Sequence, residues 1–152
     1  MLDRFDPGSL RGSTSIVRSI RLRCGEITYL PMPHGQQKVG VELLFDEQIF
    51  RGESLGDSSR DGLNESIAIA TLQAACHFLG LDQSPFELMG IRHITTTPVP
   101  ICMVLIEFLD ADASSVLVGS VELTDGADIS VQRATMDAIN RKVSVLYKDK
   151  ED

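Results

Sequence analysis

The chain has no tryptophan, only two tyrosines and six phenylalanines among 152 residues. Its interior must therefore be built mainly from aliphatic side chains and alanine. No stretch approaches the roughly 20 consecutive apolar residues of a membrane-spanning helix. The start, Met1-Leu2-Asp3-Arg4-Phe5-Asp6-Pro7-Gly8, lacks the apolar run of a signal peptide. Cysteine is scarce. Cys24, Cys76 and Cys102 are odd in number and have no short paired spacing, which argues for reduced, buried thiols rather than a secreted disulfide framework. A cytoplasmic protein is expected. Positive charge is also short: 14 Lys and Arg against 22 Asp and Glu, a net charge of −8. That balance opposes a polyanion as main partner, because nucleic-acid affinity rests on neutralising phosphates.

The patterns of common catalytic centres are missing as well. There is no Cys-x-x-Cys and no His-x-x-x-His. His34, His77 and His93 fall on a predicted loop, helix and strand. Cys76 and His77 are helix neighbours, so their side chains diverge by roughly 100° and are ill-placed to share one ion. No metal and no cofactor is expected. No Gly-x-Ser-x-Gly elbow is present. Glu42 and Glu107 lie on apolar strands and are candidates for buried carboxylates of raised pKa. Strand alternation instead points each outward.

What the chain does contain is a repetition. Ala70-Thr71-Leu72-Gln73-Ala74 is answered 64 positions later by Ala134-Thr135-Met136-Asp137-Ala138. Each follows a strand with a glycine step, Gly52-Glu53-Ser54 and Gly119-Ser120-Val121. Residues 1–13 lack periodicity and read as a flexible lead. Ser15 to Cys24 alternates as a half-buried strand, Leu30 to Gly35 reads as a loop, and Lys38–Phe45 and Gln48–Leu55 form a hairpin through Asp46-Glu47. Ile67, Ala70, Thr71, Ala74, Phe78 and Leu81 make one helical stripe, halted at Gly80 and capped by Asn64 or Ser66. The second half repeats the order: Glu87–Thr95, Ile101–Leu109 and Val116–Leu123 as strands, then a helix capped by Asp128. The fold class is α+β. Two βββα repeats, 14–82 and 86–148, form a single domain over 14–152. They share an antiparallel sheet of six strands with both helices packed on one face. With 43% hydrophobic residues, a chain of this length buries roughly two-thirds of its unfolded surface and needs no staple.

The loops before the two helices are the candidate site. Gly52 to Ser59 lacks the Gly-Lys-Ser/Thr of a phosphate-binding P-loop. Even so, amides exposed ahead of a helix N-terminus receive a carboxylate or other small anion. Gly56, Asp57, Ser58 and Ser59 of the first loop, with Asp125 and Asp128 of the second, are the predicted ligand-binding residues.

The ending Ala134-Thr135-Met136-Asp137-Ala138-Ile139-Asn140, with Asp128-Ile129 before it, resembles the C-terminal regulatory domain of the 2-isopropylmalate synthase and citramalate synthase family. That family's last helix ends in Ala-x-x-x-Ala-Leu/Ile-Asn. The resemblance implies two βββα units, a homodimer, and an end-product amino acid or acid bound at the interface to regulate a separate catalytic barrel. Gly62-Leu63-Asn64-Glu65 stands where the family has Gly-Pro-Val-Asp, so effector identity does not carry over. These residues include no barrel, and a free-standing sensor or assembly module is what the resemblance implies. A double-stranded-RNA-binding module also runs three strands into an alanine-rich helix, but it needs lysines at the helix start. Here the first loop offers Arg60 alone and the second offers acids. The expectation is a non-catalytic, small-molecule-sensing homodimer that binds an amino acid or small organic acid. A small enzyme with a cleft between the repeats, or a purely structural module, stands as the alternative.

Overall fold

The structure is a computed structural model that describes residues 21–123 and 126–151. The lead at 1–13, the strand start at Ser15–Ile20 and the site residue Asp125 fall outside those residues. Six strands and two helices follow in the order β1 (Arg23–Met32), β2 (Gln36–Phe45), β3 (Gln48–Asp57), α1 (Arg60–Leu79), β4 (Phe86–Ile94), β5 (Ile101–Asp110), β6 (Ala113–Glu122) and α2 (Ala127–Glu151). The class is α+β and the plan is βββα twice. The strands do not merge into one six-stranded ladder, however. Hydrogen bonds join them as two antiparallel three-stranded sheets, β1-β2-β3 and β4-β5-β6.

The helices form a layer between these sheets. α1 lies on β2 and β3 and reaches across to β4, α2 lies on β5 and β6 and reaches across to β1, and the helices pack on each other. The helix sequences explain why. α1 is buried on most of its circumference, from Ile67, Ala68, Ala70 and Thr71 to Ala75, Cys76, Phe78 and Leu79. A single apolar stripe suits a helix resting on one sheet, whereas apolar residues all round demand partners on several sides. In α2, buried Gln132 spans the layers, with Nε2 donating to the carbonyls of Gly25 (3.3 Å) and Glu42 (3.4 Å) in the opposite repeat. Val39, Val41 and Leu43 from one sheet join Cys102, Val104 and Ile106 from the other in one buried cluster with both helices.

The repeats agree in local detail. Each first strand carries a bulge at the matching place, between Cys24 and Ile27 and between Leu88 and Gly90. Each central hairpin has a two-residue loop whose first residue is left-handed, Asp46 (φ 56°) and Ala111 (φ 50°). Thr71 and Thr135 both donate to the carbonyl four residues back, at 2.7 Å. Gln73 accepts from the amide of Glu53, and Asp137 accepts from that of Ser120. The glycine steps have one function in both copies. A Cβ on Gly52 would stand 2.5 Å from the Ala74 nitrogen, and one on Gly119 would stand 2.9 Å from the Ala138 Cα. Helix backbone therefore rests directly on strand backbone, with alanines facing glycine.

Several boundaries differ from the sequence reading. α1 begins at Arg60, not near Asn64, because Ser59 is its cap: its extended backbone (φ −68°, ψ 163°) lets Oγ accept from the Gly62 amide. α2 begins at Ala127, so Asp128 sits in its first turn rather than before it. The first strand, read over Ser15–Cys24, is instead β1 at Arg23–Met32: residues 21 and 22 are outside it, and it continues through Pro31 to Met32. An edge strand tolerates a residue without an N–H, and β1 pairs only with β2. The break falls instead at Pro33-His34-Gly35, where His34 (φ 65°) and Gly35 (φ 71°) are both left-handed. Gly80 (φ 69°) does stop α1. Its N–H returns to His77 O and that of Leu81 to Cys76 O, the paired bonds of a Schellman ending. No helix among the described residues is long and apolar enough to cross a membrane.

The backbone contact at the glycine steps has a direct consequence. Gly52→Ala and Gly119→Ala should each destabilise the protein by about 3 kcal/mol or more, the upper range for overpacking a tight site. Urea unfolding midpoints measure this, and Gly35→Asn in the open first turn should stay near wild type.

Candidate functional site

The two helices run side by side in the same direction. At their C-terminal ends the Phe78 and Tyr147 rings stack, with centroids 4.9 Å apart and planes 11° from parallel, and Phe45 packs against both. At the opposite pole both N-terminal ends open on one cavity of about 510 Å³. Arg60, Leu63, Asn64 and Ile67 line it from the start of α1, Ala127 and Asp128 from the start of α2, Tyr29 from β1, and Ser58 from the loop before α1. Parallel helices bring the positive ends of two dipoles to one place. Arg60 adds a guanidinium there and Asp128 a carboxylate.

The predicted residues divide by role. Ser58 and Asp128 line the cavity. Ser59 does not; its hydroxyl is used to cap α1. Asp57 serves the same cap, its Oδ1 accepting from the Ser59 amide (2.9 Å) and from the Ser59 hydroxyl. The hydroxyl bond first, and the amide bond second, hold the Asp57 carboxyl below the usual carboxylate range. Gly56 is required by packing, since a Cβ there would meet the Ser66 hydroxyl. Asp128 is tied at both oxygens: Oδ2 accepts from the Tyr29 hydroxyl (2.7 Å) and Oδ1 from the Ile129 amide (2.8 Å). Burial, then the hydrogen bond to Asp128 and its negative charge, push the Tyr29 phenol well above its ordinary pKa. Tyr29 thus stays a neutral hydroxyl that holds the carboxylate toward the cavity.

Tyr29 and Asn64 were not singled out as ligand contacts in the sequence, and Arg60 was read only for its charge. Tyr29 enters through register, because it pairs with inward-facing Val39, and β1 crosses to the repeat that owns α2. Local pattern carries no sign of that crossing.

The remaining chemical candidates do not converge. Glu42 points outward and pairs with Arg51, Oε2 to Nη2 at 2.9 Å and to Nε at 3.1 Å. Glu107 also lies on an outer face, opposite Glu87. Burial raises the Cys76 thiol against a lowering hydrogen bond to Ser84, and burial pushes Cys102 up to about 11. Such thiols are poor nucleophiles at neutral pH. His77 turns to the Arg51 carbonyl, away from Cys76. Among the described residues no group of three His, Cys, Asp or Glu is placed to hold a metal ion. A second hollow of about 560 Å³ runs between α1 and the edge of β4, floored by Ile69, Leu72, Phe86 and Leu88.

The chain matches no protein-family model and no curated protein sequence. The regulatory-domain resemblance rests on the residues quoted for it.

The cap at Ser59 joins the site loop to α1, and two measurements test it. Ser59→Ala should cost about 1 kcal/mol in chemical unfolding. Asp57 has a depressed pKa in the fold, so its contribution is present above the unfolded value and is lost as pH falls through the folded one. Asp57→Asn should therefore flatten the acid side of the stability–pH curve below about pH 4.

Proposed function

We propose that the protein is a non-catalytic sensing module for an amino acid or small organic acid, and that it works as a homodimer. The observation that carries this reading is the convergence of both helix N-termini, with Arg60, on one cavity that also holds the Asp128 carboxylate. A carboxylate ligand finds two helix ends and a guanidinium there. A ligand ammonium finds Asp128, pre-oriented by Tyr29. The pairing of opposite charges across a small cavity suits an α-amino acid best and a short dicarboxylate less well. The three cysteines, all unpaired, support a reducing, cytoplasmic setting.

The contacts of each helix with its own sheet support a route for signal output. A ligand that bridges Arg60 and Asp128 pulls the starts of α1 and α2 together, and each helix carries the sheet of its own repeat. Binding at one pole therefore changes how the two repeats sit against each other.

A thermal-shift screen against amino acids and short-chain acids tests the reading. One compound should raise the melting temperature in a dose-dependent manner, and Arg60→Gln should abolish that rise while leaving the unliganded melting temperature within a few degrees of wild type. No rise with any compound would overturn it.

A further inference from the structure

The repeats superimpose in plan, so each outer sheet face serves as a control for the other. In the first sheet the centre of the outer face is a cross-strand ion pair, Glu42 on β2 with Arg51 on β3 at 2.9 Å. Beside it Lys38 pairs with Glu53 at 3.2 Å. The registers place Val41 opposite Gly52 and Val104 opposite Gly119. The positions matching Glu42 and Arg51 are therefore Leu105 and Val118, which pair with each other. The second repeat has an apolar pair where the first has a charged one. Val118 is 54% exposed and its neighbour Val116 is 52% exposed, while Met103 and Leu105 fill the outward positions of the central strand. An open aliphatic sheet centre exposes apolar area to water at a cost, and its twin demonstrates that this fold accommodates charge at the same place.

The charges around this patch are ordered. Across the sheet, the row Glu87–Glu107–Val116 lies on one side of the row Gly90–Leu105–Val118, and the row Arg92–Met103–Ser120 lies on the other. Acid stands at one end of β4 and base at the other. The Arg92 guanidinium lies over the side-chain-free Gly90, Nη1 donating to the Ile91 carbonyl at 3.1 Å.

We infer that this outer face of the β4-β5-β6 sheet is the self-association surface, and that two copies stack it face to face about a twofold axis crossing the strands at the Gly90–Leu105–Val118 row. This rests on the homodimer of the reading above and adds its surface and register. Two sheets facing each other require an axis in the plane between them. An axis along the strands would lay Glu107 on the partner subunit's Glu107. An axis across the strands reverses the rows. Leu105 and Val118 then meet their own counterparts, and Glu87, with Glu107 beside it, faces the partner subunit's Arg92. By symmetry the exchange occurs twice, so the face is complementary to itself in charge as well as in hydrophobicity.

Sedimentation and light scattering of the full chain test this with three variants. Wild type should have twice the chain mass. Leu105→Glu with Val118→Arg, which installs the first repeat's ion pair in the second, should give a folded monomer with an unchanged circular dichroism spectrum. Arg92→Glu should weaken association by roughly tenfold or more, and Glu87→Arg combined with Arg92→Glu should restore it. A wild-type monomer would overturn both this inference and the homodimer. A dimer that survives Leu105→Glu/Val118→Arg would overturn the surface and leave the homodimer standing. Failure of the double charge exchange to restore association would overturn the register. The ligand screen is independent of all three outcomes.

Discussion

Direct contact between helix backbone and strand backbone at Gly52 and Gly119 governs the architecture. With Ala70 and Ala74 over one glycine and Ala134 and Ala138 over the other, each helix sits deep against the last strand of its own repeat. That depth leaves room for a second sheet on the helix's far side. Bulkier residues at these six places would lift the helices, and one layer of two helices would no longer fit between two sheets. The all-round burial of α1 follows from the same contact, and so does the dependence of each repeat on the other. A lone βββα unit would leave the far flank of its helix exposed.

The sandwich also sets where chemistry is located. Two helices related by a twofold axis along their length must point the same way, so their like ends meet. The aromatic cluster of Phe45, Phe78 and Tyr147 closes the C-terminal pole. The N-terminal pole holds the cavity with Arg60, Asp128 and Tyr29. Electrostatics at that pole is unfavourable unless negative charge is supplied. Asp128 meets part of that need, and in the proposed function an anionic ligand group would add to it.

The repeat, the strand order, the hairpin turns and the stop at Gly80 were legible because each depends on local pattern: alternation, glycine placement and helical spacing. The single shared sheet was not. Whether two sheets join edge to edge or stack across helices is decided by which helix flanks are apolar, and the stripe taken from Ile67 to Leu81 left out Ala68, Ala75 and Leu79 on the other sides. The first helix cap was missed because Asp57-Ser58-Ser59 reads equally well as loop, and only the extended backbone of Ser59 marks the boundary. Of the candidate site, Ser58 and Asp128 line the cavity, and their place beside the helix starts was visible in sequence. Tyr29 was not, because its place depends on β1 reaching across to the opposite helix. Asp57 and Ser59 form the helix cap and Gly56 packs against Ser66, roles that the loop's composition alone did not show.

The two tyrosines stand at opposite poles of the helix layer. Tyr147 is stacked on Phe78 at the closed end, and Tyr29 is bonded to Asp128 at the open one. With no tryptophan to mask them, they dominate the protein's intrinsic near-ultraviolet emission. A phenol hydrogen-bonded to a carboxylate emits differently from one packed against a ring, so the molecule carries a built-in optical distinction between events at its mouth and events at its base.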